Sequence, residues 1–333
     1  MKNKTNAKKI DLFTLMYKYG TILVTIAAIL FFSLTLDRFM NFGNMTNIFR
    51  SVSIVALIAL AITLSLTVDG LDLSVGATAG FASVIAAKFM VIWEINPVLA
   101  IIIPLIIGVL IGCINAFLII KMGISDMLTT LSMMFVLTGI SITFQSGTAI
   151  YNYMPLPNNK GIAPGTMHEA FLFLGKGKVV GIPFPVILML IIVVLVHIFL
   201  NHTKYGRFLY MTGGNEEAAK LSGIPVNKYK LLAYILSGVI ASIGGLVLGA
   251  RLGSGEVDAG ATYLMDAVAA AFIGFSVLGI GKPNAFGTLL GALLMGVLLN
   301  GLTMMDFPYY SQDIVKGIVL IFGLGLTYYK RKE

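Results

Sequence analysis

The sequence predicts an all-α protein that crosses a membrane about ten times. Of its 333 residues, 58% are hydrophobic and only 11% are charged, whereas soluble domains average about 45–50% and about 25%. A soluble core of this size cannot hide so much apolar surface, so the composition excludes a soluble enzyme, a nucleic-acid-binding protein and a disordered chain. The single cysteine, Cys113, excludes an internal disulfide and a cysteine-based metal site.

Ten apolar runs predict the membrane helices, because a helix that spans a bilayer needs about 20 residues. Some runs are shorter than this, which a tilt or a break in the helix explains. Lysines precede the first run, but no small-residue cleavage site follows it, so we expect it to stay as an anchor. The runs cover residues 22–36, 51–68, 74–93, 98–120, 126–145, 183–200, 231–250, 262–280, 285–302 and 311–329.

The distribution of Lys and Arg predicts the orientation of the chain. Positive residues collect on cytoplasmic loops, and with the N-terminus inside, the inner segments hold 15 of the 23 Lys and Arg residues. We therefore expect both termini in the cytoplasm, and the net charge of +8 needs no nucleic-acid partner. The inner segments are 1–19, 69–73, 121–125, 201–230, 281–284 and 330–333.

The two longest connections predict a single membrane domain over residues 1–333. Residues 146–182 lie outside in this topology, and residues 201–230 lie in the cytoplasm, as does the tail at 1–19. Neither connection is long enough for an independently folded domain. The chemistry therefore takes place in the membrane or belongs to a partner.

Two sequence echoes predict an inverted repeat. Ser74-Val-Gly-Ala-Thr78 resembles Asp258-Ala-Gly-Ala-Thr262, and the segment from Gly108 to Asn115 resembles the one from Gly291 to Asn300. The first copy begins inside and the second outside, which is the pattern of transporters whose substrate path lies between two halves. Coincidence between helices rich in Gly and Ala is the alternative.

The segment Asp69-Gly-Leu-Asp-Leu-Ser-Val-Gly76 predicts a sharp turn between two membrane helices. Glycine permits the turn, and Asp72 or Ser74 can cap the helix that follows. Acids near the membrane interior are costly and are often functional. Asp72 and Ser74 are therefore candidates for gating or for the translocation path, with helix capping alone as the alternative.

A second segment, residues 213–225, predicts a short helix in the long inner connection. Asn215 can cap it, Glu216 and Glu217 suit the positive end of its dipole, and Gly223 can end it. With its alanines outward, such a helix fits a groove on another protein; an inert loop is the alternative. The candidate contact residues are Gly214, Asn215, Glu217, Ala218, Ala219 and Gly223.

Three further polar residues lie in apolar runs and are candidates for the translocation path. Asp266 lies near a predicted helix start, where the dipole favours its charge. Asn115 and Asn300 occupy the echoed positions, and packing between helices is the alternative role for all three. The histidine spacing fits no metal site, and Pro283 stands where a phosphate-binding loop needs Ser or Thr. We predict no catalytic residue, metal or nucleotide site.

Several motifs resemble those of permease subunits of bacterial ABC importers. The pattern at 214–224 is similar to their coupling segment, with Glu217-Ala218-Ala219 and Gly223 resembling the EAA–Gly signature. Gly70-Leu-Asp-Leu-Ser-Val-Gly76 resembles the hallmark of the ribose-type, monosaccharide branch, with Leu71 in place of the usual Ile. The likeness runs from about Leu15 to Tyr329 and includes Ala250–Ser254, Leu264–Ala269 and Tyr309–Gly317.

The resemblance implies a ten-helix permease, like those of type II ABC importers, in the bacterial plasma (inner) membrane. It implies four kinds of partner: a second permease copy, cytoplasmic ATP-binding subunits that hold ATP and Mg, an extracytoplasmic sugar-binding protein and a monosaccharide such as ribose. The chain itself is then neither an enzyme nor a cofactor-binding protein. We expect a homodimer, with a paired heterodimer as the alternative.

One alternative from another class of transporter stays open. An ion-coupled secondary transporter of a small polar solute would use Asp72, Asp258 and Asp266 as coupling carboxylates. Such a carrier has no need of a coupling segment, which is the sequence feature that separates the two hypotheses.

Overall fold

The computed structural model describes residues 12–156, 161–277 and 281–329. Each of the ten predicted apolar runs overlaps a helix, which confirms the all-α, multi-pass prediction. Seven helical segments among the described residues are long and apolar enough to cross a membrane. The helices are α1 (Leu12–Thr35), α2 (Phe42–Leu66), α3 (Val75–Val91), α4 (Pro97–Met122), α5 (Asp126–Phe144), α6 (Glu169–Lys176), α7 (Phe184–His202), α8 (Lys204–Gly214), α9 (Glu216–Leu221), α10 (Val226–Leu252), α11 (Val257–Thr262), α12 (Leu264–Ser276), α13 (Ala285–Met304) and α14 (Tyr309–Tyr329).

The helix ends differ from the apolar runs where a helix continues beyond its apolar stretch. Helix α1 begins at Leu12, so part of the predicted tail at 1–19 is helical, and α10 begins at Val226 rather than at 231. Lysine is a good helix former, so a helix extends past the apolar residues that hydropathy detects. Most of the tail, the end of the run 262–280 and the C-terminal segment 330–333 lie outside the described residues.

The connection at 146–182 carries more structure than a plain loop. Strand β1 (Ile150–Tyr151) pairs antiparallel with β4 (Ser254–Gly255), and β2 (Lys178–Val179) pairs with β3 (Ile182–Pro183). Together with α6, these residues pack on the ends of α3 and α10, where Ile150 and Phe171 enter a buried cluster with Val84 and Leu246. Apolar residues of this segment therefore cover the ends of α3 and α10, and we call the segment the lid.

Helix α2 forms the centre of the molecule. Of the most apolar 18-residue stretch of α2, 83% is buried, whereas only 28% of the corresponding stretch is buried in each of α4, α5 and α7. A helix that is hydrophobic all round is buried on all sides, and α2 is enclosed by α7, α10, α12 and α13. The peripheral helices expose large apolar side chains such as Ile106, Phe117 and Leu195, as expected of surfaces that face lipid.

The packing supports the predicted inverted repeat. Helix α4 packs on α10 and α13 packs on α2, while α3 packs on α10 and α12 packs on α2. Exchanging α2 with α10, α3 with α12 and α4 with α13 turns each pair of contacts into the other. Helix α10 is the fifth membrane helix after α2. Because successive membrane helices alternate in direction, α2 and α10 run in opposite directions, as do the other equivalent pairs. The echoed segments meet, because a Cβ on Gly76 would lie 3.1 Å from the Gly260 carbonyl oxygen.

Glycine permits a close helix crossing between α4 and α10. A Cβ on Gly112 would lie 2.7 Å from Ile235 Cα, and one on Gly108 would lie 2.5 Å from the Gly238 carbonyl oxygen. Small residues that let backbones approach are the usual means of association between membrane helices. This crossing joins the two halves of the repeat.

We predict that Gly112→Ala destabilises the protein and that Gly139→Ala does not. The methyl group at position 112 overlaps the α10 backbone, and overpacking of this kind costs about 1–3 kcal/mol. Around Gly139, by contrast, no atom lies within 4 Å of the added Cβ, and alanine is the better helix former. The melting temperatures of the two variants in detergent test this. Equal melting temperatures would contradict the close approach of α4 and α10.

Candidate functional site

Three of the segments predicted to be cytoplasmic, 69–73, 201–230 and 281–284, lie together on one face, here called the α8–α9 face. Helix α8 packs on the end of α2, where a Cβ on Gly213 would lie 2.8 Å from the Asp69 amide nitrogen. The Tyr210 hydroxyl donates to the Pro283 carbonyl oxygen at 2.6 Å. The Leu71 amide donates to an Asp126 carboxylate oxygen at 2.5 Å. The described residues of the connection, 146–156 and 161–182, pack at the opposite end of α3 and α10.

Helix α9 has the start and the stop that the sequence predicts. The Asn215 side chain accepts a hydrogen bond from the Ala218 amide at 2.9 Å, and Glu216 and Glu217 occupy the first turn. Gly223 follows the helix with φ +76°, a conformation that glycine adopts without the steric cost of a Cβ. Gly214 and Glu217 are exposed.

The expectation that both alanines of α9 point outward is wrong. Ala218 is exposed, but only 3% of Ala219 is exposed, and it packs against Ile224 and Val226. Adjacent residues of an α-helix point about 100° apart, so the two methyl groups cannot share a face. Ala219 packs α9 on the rest of the chain, whereas Ala218 faces outward.

Two ion pairs fix the first turn of α9. The Glu216 carboxylate lies 2.7 Å from Lys220 Nζ and 2.6 Å from Lys230 Nζ. These hydrogen bonds lower the pKa of Glu216 below its ordinary value. Since Lys230 belongs to α10, the second pair ties the short helix to a membrane helix. Leu221, the last residue of α9, is 91% exposed, and no sequence pattern marks it, because the motif leaves its position unspecified.

Three of the predicted path residues form one buried cluster, here called the Asp72 cluster. One Asp72 carboxylate oxygen accepts from the Ser74 amide at 3.0 Å and from the Ser74 hydroxyl at 2.6 Å. The other accepts from the Ser237 hydroxyl at 2.8 Å. The Asn115 side-chain amide donates to Ser74 Oγ at 3.0 Å. The cluster therefore joins the turn, α3, α4 and α10.

Burial governs the chemistry of the Asp72 cluster. Only 2% of Asp72 is exposed, and burial raises the pKa of its carboxyl although the hydrogen bonds from Ser74 and Ser237 oppose the shift. Beside it, Asn115 Oδ1 and the Tyr234 hydroxyl are buried without a hydrogen-bond partner among the described residues. The predicted side-chain cap of α3 is wrong: the Ser74 side chain makes no capping hydrogen bond to the helix, and Asp72 accepts from the Ser74 amide, which precedes the helix. Both residues belong to a buried polar site, and a role in gating or in the translocation path stays a prediction.

Asp266 and Asn300 lie away from this cluster. Asp266 is in the first turn of α12, as predicted, and is 3.3 Å from Lys316 Nζ of α14. Asn300 exchanges hydrogen bonds of 2.9 Å and 3.0 Å with Asn44. The echoed asparagines, Asn115 and Asn300, therefore have different partners. Within the described ranges, no three His, Cys, Asp or Glu side chains are placed to share a metal ion.

A helix bundle built from an inverted repeat around a buried central helix, with a short capped helix on one face, is typical of a membrane permease subunit. The sequence profile of the family described as "branched-chain amino acid transport system / permease component" matches residues 44–324. The chain belongs to this family.

Named relatives cover nearly the whole chain. It is 36% identical over 287 residues to the ribose import permease of Escherichia coli strain K12, a match that covers 86% of each chain. It is 35% identical over 321 residues to the ribose import permease of Bacillus subtilis strain 168, covering 96% of each. Identity to the D-allose permease of Escherichia coli strain K12 is 32% over 330 residues, or 98% of this chain and 96% of that one. No solved structure matches the chain.

We predict that Asp72→Ala destabilises the protein far more than Asp72→Asn. Alanine leaves the Ser74 amide and the hydroxyls of Ser74 and Ser237 without their acceptor, and each buried unsatisfied group costs about 1–3 kcal/mol. Asparagine keeps one acceptor oxygen in place. Melting temperatures in detergent compare the variants, and equal losses for Ala and Asn would contradict the hydrogen-bonding role.

We also predict a pH dependence that Asp72→Asn removes. The pKa of Asp72 is raised in the folded protein above its ordinary 3.8, so the folded state holds this proton more tightly than the unfolded state. The resulting stabilisation is complete below pH 3.8 and is lost as the pH rises through the folded pKa. Melting temperatures measured from acidic to neutral pH test this, and a constant difference between wild type and variant would contradict it.

Proposed function

We propose that the chain is the permease subunit of an ATP-binding-cassette importer and forms the translocation path for a monosaccharide, with ribose the first candidate. The observation that carries the proposal is α9: a capped, ion-paired helix too short to span a membrane, held on the face opposite residues 146–182. A self-sufficient carrier needs no such element. The relatives are named for ribose, D-allose, xylose and galactose import, which supports a small sugar as substrate.

The proposal assigns the chemistry of ATP to a partner. In it, a cytoplasmic ATP-binding subunit holds ATP and Mg and docks on the α8–α9 face, which places both termini in the cytoplasm of a bacterial plasma membrane. An extracytoplasmic sugar-binding protein docks on the opposite face, on the lid formed by residues 146–182. The chain has no catalytic residue of its own, and the sugar is selected mainly by the binding protein.

Contacts within the chain supply a path for the coupling. A movement of α9 reaches α10 through the Glu216–Lys230 ion pair, and a movement of α8 reaches the turn at Asp69 through Gly213. The same turn carries Asp72, which holds Ser74 at the start of α3 and Ser237 in α10. The proposed gate is therefore the set of helices that meet at the Asp72 cluster.

We predict that Gly223→Val combined with Glu217→Lys abolishes ATP-driven uptake of labelled ribose into proteoliposomes, while membrane insertion stays normal. Valine at φ +76° costs about 1 kcal/mol or more, and lysine replaces an acid that the helix dipole favours. The matched control is Gly123→Val, since Gly123 also has positive φ, at +70°, and open space around it. This control should keep most of its uptake.

Two results would overturn this proposal. Uptake by the double variant at the wild-type rate would show that α9 is inert. Uptake by the permease alone, driven by an ion gradient without ATP, would favour the ion-coupled carrier, with buried Asp72 and Asp266 as its carboxylates.

We predict that the assembled importer contains two copies of this chain. Membrane helices associate through small residues, and the chain has 36 glycines, of which Gly317 has open space around it. Native mass spectrometry of the purified complex measures the composition. One copy per two ATP-binding subunits would refute the homodimer and favour a paired heterodimer.

A further inference from the structure

Asp266 is a buried carboxylate that the chain itself leaves short of hydrogen bonds. It lies in the first turn of α12, and its one polar partner among the described residues is Lys316, whose Nζ is 3.3 Å away. Asp72, by contrast, accepts three hydrogen bonds from Ser74 and Ser237. Buried polar groups are normally hydrogen-bonded, so Asp266 retains the capacity to accept hydrogen bonds from a ligand.

A break in a membrane segment places Asp266 at the centre of the inverted repeat. The apolar span from Val257 to Phe275 consists of α11 and α12, which meet at Tyr263. A Cβ on Gly76 would lie 3.1 Å from Leu264 Cβ, so the break lies beside the contact that joins the two echoed segments. Discontinuous helices at the junction of two repeats commonly form the substrate sites of transporters.

An arginine and a tyrosine complete the surroundings of Asp266. The Tyr263 side chain is close enough to Arg251, Asp266 and Lys316 to interact with the charge of each. Arg251 donates through Nη2 to Ser51 Oγ at 3.0 Å, whereas its Nη1 is buried and has no hydrogen-bond partner in the described part of the chain. The structure therefore places a donor without a partner near an acceptor that is short of partners.

These groups open to the outside of the chain between α12 and α14. Side-chain exposure rises from 6% at Asp266 to 20% at Lys316 and 75% at Asp313, whose carboxylate is also 3.3 Å from Lys316 Nζ. Lys316 stands about 10 Å along α14 from the helix start at Tyr309. Ionisable residues at such a depth usually face a pathway or a water-filled cavity.

The charges of this group define the chemistry of its ligand. Arg251 and Lys316 balance Asp266 and Asp313, so the group carries no net charge with which to select an anion or a cation. It offers a free donor at Arg251 Nη1, an acceptor at Asp266 and the ring of Tyr263. A hydroxyl group both donates and accepts hydrogen bonds, so a neutral molecule with neighbouring hydroxyls satisfies donor and acceptor together.

We propose that Arg251, Tyr263, Asp266 and Lys316 form a transient site, here called the Asp266 site, for the hydroxyl groups of the sugar inside the membrane. This inference rests on the proposed function and names the residues that the sugar contacts on its path. Both contacts of Lys316, at 3.3 Å, are longer than the roughly 2.7–2.9 Å of a strong charged hydrogen bond. A sugar hydroxyl can therefore take the place of Lys316 beside Asp266.

A purely structural ion pair between α12 and α14 is the competing interpretation. Such a pair needs opposite charges at positions 266 and 316, in either order. The sugar site needs the carboxylate at position 266, where Arg251 and Tyr263 are close. Arg251 Nη1 favours the sugar site, because a buried donor without a partner is costly to the fold.

The test measures uptake of labelled ribose and ATP hydrolysis together, in proteoliposomes of the assembled importer supplied with ribose-loaded binding protein. We expect Asp266→Asn to lower uptake about tenfold, because a neutral group replaces a charged acceptor. ATP hydrolysis should stay within about twofold of wild type, since the α8–α9 face is unchanged. The matched control is Asp306→Asn, at an exposed acid in the turn before α14, which should transport as wild type does.

Exchanging the two charges separates the sugar site from a structural pair. The double variant Asp266→Lys with Lys316→Asp restores opposite charges between α12 and α14. We expect it to melt above the single variant Asp266→Lys in detergent and still to lack ribose uptake. Recovery of wild-type uptake by the double variant would overturn the sugar site and leave the proposed function standing.

Arg251→Lys tests the site even if the exchanged pair does not fold. Lysine keeps the positive charge and removes Nη1, a donor that no described residue uses. We therefore expect an unchanged melting temperature with uptake lowered about fivefold, whereas Arg38→Lys, at an exposed arginine before α2, should have no effect. Wild-type uptake by Arg251→Lys overturns the sugar site. If the wild-type importer takes up no ribose with ATP, the proposed function fails together with the site.

Discussion

The buried carboxylate of Asp72 is the constraint on which the inner half of the molecule depends. Removing a carboxylate from water is costly unless hydrogen bonds replace its hydration, and no Lys or Arg of the described residues pairs with it. The turn must therefore bring the Ser74 amide and hydroxyl to one oxygen, and α10 must bring Ser237 to the other. These requirements fix where α3 begins and how α10 lies against it.

Two kinds of contact then divide the work of holding the helices together. In the membrane, glycines let backbones touch, as where α4 crosses α10 at Gly108 and Gly112. At the α8–α9 face, polar side chains join segments that are distant in sequence, such as Asp126 with Leu71 and Tyr210 with Pro283. The glycine contacts require no particular chemical group, but they require the two backbones to fit closely. The second kind joins α5 to the turn that carries Asp72 and joins α8 to the segment that contains Pro283.

The parts of this structure that the sequence predicts are those governed by local rules. Hydropathy locates the membrane helices, and the cap at Asn215 and the stop at Gly223 follow from backbone chemistry within a few residues. What sequence reasoning could not supply depends on tertiary contacts. The partnership of Asp72 with Ser237 joins residues 165 positions apart, and nothing near Ser237 marks it as a partner. The inward side of Ala219 likewise depends on Ile224 and Val226, and the outward Leu221 is visible only once that side is known.

The central claim is that α8, α9 and the turn bearing Asp72 move as one unit when the ATP-binding subunits bind nucleotide. Hydrogen exchange measured by mass spectrometry on the assembled importer, with and without a non-hydrolysable ATP analogue, tests it most directly. The account predicts that exchange in residues 204–221 and in residues 67–74 changes together on adding the analogue. A change in residues 204–221 with unaltered exchange in residues 67–74 would contradict the account.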